Sequence, residues 1–158
     1  MYGMRRADRE ITDKKAIEKF IAKEKLIRIG FCDNGEVYIV PVNYGYSVDN
    51  GEYTFYFHGA VAGRKYELAK SEPSVGFEID GNYELLGADT ACGHSAKYMS
   101  GIGNGILSVI EDNDEKKAAL EYIMYQAAGR TGLEYDNDVL GRTAVFKLKV
   151  KTMSCKAK

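Results

Sequence analysis

The spacing of apolar positions changes several times along the 158-residue chain. Ala16, Ile17, Phe20 and Ile21 recur at helical spacing, which predicts a short amphipathic helix to about Glu24. Thr12 or Asp13 can cap it by accepting a bond from an unpaired backbone N–H. The period then drops to two. Ile27, Ile29 and Phe31 alternate with Arg28 and Gly30, Asn34-Gly35 suits a tight hairpin, and a return strand is expected from Val37 to Tyr46. Val37, Ile39, Pro41 and Asn43 share one face of that strand, and Tyr38, Val40, Val42 and Tyr44 the other. Pro41 donates no ladder bond, so the strand must be an edge or carry a bulge. Asp49-Asn50-Gly51 then turns the chain into an aromatic strand, Tyr53 to His58. Together these three strands read as an antiparallel meander.

Beyond a small-residue loop from Gly59 to Gly63, a short helix is expected from Arg64 to Ser71, ending before Pro73. Val75–Asp80 and Tyr83–Leu86 read as a strand pair turning at Gly81-Asn82, and Gly87–Ser95 as a loop. Lys97–Ile110 reads as a long strand, with Gly101, Gly103 and Gly105 on every second residue. A face so stripped suits a bulge, a barrel bend, or close approach by a ligand or another backbone. Asp112 and Glu115 have capping-box spacing and open a helix to about Arg130, with Leu120, Ile123, Met124 and Ala127 as its apolar stripe. Thr143–Thr152 is the last strand, and Lys147, Lys149 and Lys151 lie on one outward face, where they would blunt an edge. Strand runs without regular alternation with helices argue against a parallel sheet. The fold expected is mainly β: an antiparallel barrel with flanking helices, one domain spanning 1–158.

Composition narrows the function. Hydrophobic residues make up 45% of the chain and charged residues 28%, the balance of a single globular domain with its own core. No apolar run approaches the ~20 residues that span a bilayer, and the N-terminal residues show no apolar stretch of a secretory signal. Lys plus Arg number 22 and Asp plus Glu 23, without the basic excess of a nucleic-acid binder. Cys32, Cys92 and Cys155 are an odd count, which points to a reducing cytoplasm rather than a disulfide framework. Cys92-Gly93-His94 holds the only adjacent pair of potential metal ligands, too few for a zinc site, so no metal is expected. No Gly-x-Ser-x-Gly, His-Glu-x-x-His or Walker loop occurs, which leaves hydrolase chemistry without a nucleophile.

Two stretches carry a different chemistry. From His58 to Lys65 the chain combines a strand end, a small-residue loop and two adjacent cations opening a short helix. Arg64 could clasp a phosphate bidentately and Lys65 could add a point charge, although a solvated Arg-Lys pair on a surface helix fits the same pattern. In Val40-Pro41-Val42-Asn43-Tyr44-Gly45 the proline breaks strand pairing, and Asn43 offers a donor and an acceptor to a heterocycle or simply to water. Together they suggest a phosphorylated, flat, aromatic ligand.

The chain resembles the pyridoxamine-phosphate-oxidase-like split-barrel flavoproteins, specifically the nitroimidazole-resistance reductase branch. The resemblance rests on Arg5-Arg6 to Asp13, Val40-Pro41-Val42-Asn43-Tyr44-Gly45-Tyr46 and Tyr56-Phe57-His58-Gly59-Ala60 with Gly63-Arg64-Lys65. Pro73 to Glu78, Tyr98-Met99-Ser100 to Gly105, and Ala144-Val145-Phe146 continue it in order along nearly the whole chain. It implies a split barrel, a homodimer, and FMN at the dimer interface. Pro41, Val42, Asn43 and Tyr44 would then run beside the isoalloxazine. His58 and Gly59 would lie near the ring and ribityl chain, Gly63, Arg64 and Lys65 at the phosphate, and Ser100 would be a further contact. His58, whose ordinary pKa is near neutral, becomes the candidate for proton delivery. The activity implied is electron transfer through the flavin to a small acceptor such as a nitroaromatic. A non-catalytic protein that binds haem or deazaflavin, or stores flavin, is the alternative within the same superfamily. True pyridoxamine phosphate oxidases carry a C-terminal Arg-x-His that has no counterpart before Lys158, which points away from that reaction. A tryptophan common among relatives is also absent around Cys92-Gly93-His94.

Overall fold

The computed structural model describes residues 4–158, so residues 1–3 of the expected single domain lie outside the description. Helix α1, Lys14–Lys23, starts where expected: the Asp13 carboxylate accepts bonds from the N–H groups of Lys15 and Ala16. Its inner face buries Phe20 and Ile21. Strands β2, Leu26–Asp33, and β3, Glu36–Asn43, form a hairpin about Asn34 and Gly35, both with positive φ. A second hairpin, β4, Gly45–Asp49, with β5, Glu52–Ala60, turns about Asn50 and Gly51 in the same way.

The expected meander is therefore two separate hairpins. With β6 at Ser74–Leu86, β7 at Ser95–Val109 and β8 at Thr143–Ala157, the sheet runs β3-β2-β6-β7-β8-β5-β4, so β3 and β4 sit at its opposite ends although Tyr44 alone separates them in sequence. Tyr44 is buried, its phenol donates to the Ile21 carbonyl at 2.5 Å, and Gly45 lies against the backbone of Tyr122, where no Cβ would fit. A strand pinned into the core at that point must change sheet edge, and the change curls the sheet. β3 is brought beside β5 with no ladder between them, which leaves the barrel split along a seam. Pro41 lies on the edge strand β3, as its missing N–H requires.

The second expected hairpin is also revised. Ser74–Leu86 is one strand, β6, paired along its length with β7, Ser95–Val109. Asn82 takes a left-handed conformation inside a register shift between Gly81 and Glu84, so Gly81-Asn82 makes a bulge rather than a reversal. The β7 glycines serve the barrel wall. Side chains at Gly103 and Gly105 would strike the backbone of Thr152 and Lys149 beside a bulge, opposite Asn104 and Gly105, in strand β8, Thr143–Ala157.

β8 pairs with β7 on one side and with β5 and the short β1, Glu10–Ile11, on the other, so its outward lysines blunt no edge. Two short helices, α2, Arg64–Ala69, and α4, Asn137–Gly141, flank the sheet, and α4 is an element the apolar pattern did not reveal. Helix α3, Asn113–Ala128, is capped by Asp112, which accepts from the Glu115 N–H at 2.8 Å. Its buried stripe is Lys116, Ala119, Leu120, Ile123 and Gln126, and Ala127 faces solvent. All strand pairs are antiparallel and the largest core fills the barrel, with a smaller one under α3.

Candidate functional site

The seam between β3 and β5 gathers most of the residues that the two informative stretches contain. Phe55 and Phe57 of β5 point into the core, which leaves Tyr56 and His58 outward. After Ala60 the chain reverses through Gly63, whose φ of 95° and ψ of 169° lie in a region open essentially only to glycine. That reversal sends Lys65 back beneath Gly59. The Lys65 ammonium lies 5.7 Å from the Phe57 ring centroid and 5.5 Å from that of Phe146. An added Cβ on Gly59 would sit 3.0 Å from it, so the missing side chain is what admits the ammonium. Burial lowers the Lys65 pKa, and among the described residues no carboxylate forms an ion pair with it. A half-buried cation over two aromatic faces, without an acid, lacks a counter-charge.

Its neighbour is differently placed. The Arg64 guanidinium bonds Asp33 at 2.8 Å and Glu36 at 3.3 Å, and stacks 4.7 Å from the Tyr38 ring centroid. Arg64 thereby ties α2 to the tip of the β2–β3 hairpin across the seam. Two of the Arg64 nitrogens already serve these carboxylates, which offset its charge, whereas among the described residues Lys65 has no such partner. His58 is partly open to solvent, and burial first, then the Lys65 charge, holds its pKa below the usual 6.5. At neutral pH it is an uncharged imidazole with one N–H and one acceptor nitrogen.

The outer face of β3 supplies a largely apolar wall. Val37 is 76% exposed and Ile39 61%, and Pro41 and Asn43 continue the same face. Asn43 donates its Nδ2 to the Lys25 carbonyl at 3.1 Å, which leaves its Oδ1 free to accept. Val42 packs on the barrel core. The Tyr44 side chain points inward and lies off the face that Pro41 and Asn43 share, so only its backbone could meet a ligand there. The cause is the period-two alternation itself, with Tyr44 in the inward set. Gly59 and Gly63 shape the loop as described. Ser100 is not with the others: β7 lies three strands from β3 and two from β5, on the far wall of the barrel.

One cluster escaped the sequence reading. Beside Pro41, Arg28 of β2 donates Nη1 to Glu78 at 3.0 Å and to Asp80 at 2.6 Å, both on β6. Burial and the Asp80 charge raise the Glu78 pKa. The sequence signal was only that these residues occupy outward positions of two strands some fifty residues apart. Which strands pair is a tertiary fact. Among the described residues no group of three or more His, Cys, Asp or Glu could hold a metal ion, and no helix is long and apolar enough to cross a membrane.

The architecture is that of a split β-barrel with two adjacent cations, Arg64 and Lys65, and an exposed apolar strip of β3 at the split. A family model described as pyridoxamine 5'-phosphate oxidase matches residues 13–157, and the chain belongs to that family. Its structure is similar to that of a candidate 5-nitroimidazole antibiotic resistance protein from Bacteroides thetaiotaomicron, with 29% identity, a TM-score of 0.80, and coverage of 94% of this chain and 86% of that one. It also shares its fold with an FAD and haem binding protein from Mycobacterium smegmatis, at 15% identity, a TM-score of 0.80 and coverage of 95% and 73%. The flavocytochrome Anf3 from Azotobacter vinelandii is a third structural relative, at 19% identity, a TM-score of 0.78 and coverage of 99% and 72%. Among curated proteins none matches.

Proposed function

We propose that the protein is an FMN-dependent oxidoreductase, working as a cytoplasmic homodimer, that reduces a small acceptor such as a nitroaromatic. One observation carries this reading: Lys65 is a half-buried, acid-free ammonium held beneath Gly59 at one end of an exposed apolar strip. A phosphate on Lys65 with a flat ring along Ile39, Pro41 and Asn43 uses both features at once. Family membership and the flavin-binding structural relatives support flavin as the ligand.

When bound, the flavin supplies the redox chemistry. The chain's part is to hold and orient it. Lys65 neutralises the phosphate, Gly63 and Gly59 keep the approach open, and Asn43 Oδ1 accepts from a ring N–H. Arg64 braces the loop through Asp33 and Glu36, and those carboxylates offset the charge it can lend to a phosphate. His58 holds a single N–H beside Lys65 and can pass or receive a hydrogen bond at the ring. Ser100 reaches a seam-bound flavin only from a second copy, whose outer sheet face would cover the open side of the site. Exposed Ile102 on that face and exposed Ile39 at the seam are the kind of apolar surface that a partner buries.

The test is to denature the purified protein and identify the released chromophore, then titrate FMN and riboflavin into the flavin-free protein. FMN as the released species, and bound more tightly than riboflavin, is the result expected. Release of haem, or equal affinity for the two flavins, would overturn the phosphate assignment and the function with it.

A further inference from the structure

At the end of β5 opposite Gly59, a cavity of about 590 Å³ lies between α1, β1, the β4–β5 turn and β8. None of the residues placed above at the flavin lines it. β8 pairs with β5 only as far as Lys149 and with β1 only from Cys155, so among the described residues Val150–Ser154 pairs with β7 alone. The register shift opposite Asn104 and Gly105 falls within this stretch, where Lys151 is the extra residue. The sheet therefore opens between β5 and β1, and the cavity lies in the gap. Backbone N–H and C=O groups along that side of β8 have no neighbouring strand to bond.

The floor is apolar. Ile17, Tyr53, Val150 and Met153 line the cavity and pack against the barrel core, and the buried Cys155 lies among them. The mouth carries both signs of charge: Lys14 and Glu18 of α1, Glu52 of β5, Lys151 of β8 and Glu10 of β1. Among the described residues none of these five forms an ion pair, although they surround one opening. Glu18 also acts on the floor, because its charge, after burial, raises the Tyr53 pKa to about 12. Small-ligand sites commonly measure about 300–1,000 Å³ and pair an apolar lining with a few polar groups. A ligand of one sign would be repelled by part of this mouth. A neutral apolar molecule would leave its charges unanswered, and a small polar zwitterion would leave the floor in water.

We propose that this cavity binds a small zwitterion with an apolar body, its carboxylate met by the lysines of the mouth, its ammonium by the glutamates, and its body seated on the floor. An apolar amino acid and a short apolar peptide share that chemistry. A peptide would in addition bond the unpaired edge of β8, as an added strand does. The site is built by one chain and stands whether or not the seam holds a flavin.

The experiment is calorimetric titration of the full chain as purified with leucine, leucyl-leucine, glycine, isoamylamine and isocaproate. The last two are leucine without its carboxylate and leucine without its ammonium. Leucine or leucyl-leucine should bind about tenfold or more tightly than each of the other three. Tighter binding of the dipeptide identifies a peptide, and equal or tighter binding of leucine an amino acid; both support the site. Lys14→Gln/Lys151→Gln should weaken that binding about tenfold, with flavin absorbance and circular dichroism unchanged. Val48→Trp, at an exposed position of the lining, should block the cavity without altering any charge, which keeps the test open where the double variant folds poorly. No binding of leucine or its dipeptide, equal affinity for glycine or a truncated analogue, or full affinity in either variant overturns the proposal. Loss of flavin from a folded variant also overturns it, since the cavity would then serve the flavin site. Leucine binding in a protein that holds no flavin would leave this site standing and remove the function proposed above.

Discussion

At the residue scale, Lys65 and His58 constrain each other. A charge-assisted contact contributes about 1.5–3 kcal/mol, and the lower end applies to a half-buried partner. Lys65→Gln should therefore weaken FMN about tenfold and leave riboflavin unchanged, measured by quenching of flavin fluorescence. Arg64→Gln should have the smaller effect, because its guanidinium already serves Asp33 and Glu36. The same geometry gives a pH dependence. Because the folded protein holds the His58 pKa below 6.5, the unfolded chain binds more protons there as the pH falls. His58 thus contributes stability above pH 6.5 that is lost progressively below it. Flavin-free His58→Gln should lose less stability than the parent in thermal melts between about pH 7 and 5. Phosphate bound at Lys65 should raise the His58 pKa by masking the second cause of its depression. Histidine resonances that titrate at the same pH with and without FMN would contradict this.

At the element scale, the end of α1 depends on groups far away in sequence. The Gln126 side-chain amide of α3 approaches the carbonyls of Ile21, Ala22 and Glu24 at 2.8, 3.1 and 2.7 Å. Tyr44 meets the Ile21 carbonyl as well, so α3 and the residue linking β3 to β4 together satisfy the last turn of α1. Gln126→Leu keeps the volume, strands those carbonyls, and should destabilise the fold by about 1–3 kcal/mol in urea melts. Asp112→Ala removes the α3 cap and should cost about 1 kcal/mol. That cap was legible from spacing alone, and the α1 cap was narrowed to Thr12 or Asp13, because both act within three residues. The buried stripe of α3 was legible only in part, through Leu120 and Ile123. Its Gln126 is polar, and only the carbonyls of α1 make a buried position reasonable for it.

At the scale of the whole molecule, the seam leaves one side of the proposed flavin uncovered and sets Ser100 on another wall. A flavin-loaded species sedimenting at about twice 17.6 kDa is expected, and a 17.6 kDa species that retains flavin would rule out an interfacial site. Where elements begin and end followed largely from short-range pattern. The two Asn-Gly turns, the caps and the alternation along β3 all depend on neighbours within a few residues, whereas the sheet order chose an edge over a bulge for Pro41. The cationic stretch from Gly63 to Lys65 and the apolar face of β3 were legible for the same reason. By itself the sequence determined these local conformations and which residue types stood available for an anion and a flat ring.

What only the tertiary structure decided was pairing and partnership. Tyr44 and Gly45 carry the chain from one sheet edge to the other because helix α3, eighty residues later, presses on them. Gly81-Asn82 became a bulge because β7 offers one unbroken partner to both halves of β6. Arg64 found two carboxylates and Lys65 none, although they are adjacent in sequence. The physical reason is common to all three. Backbone preference is set within a few residues, whereas burial, register and counter-charge are set by groups that folding brings from elsewhere in the chain.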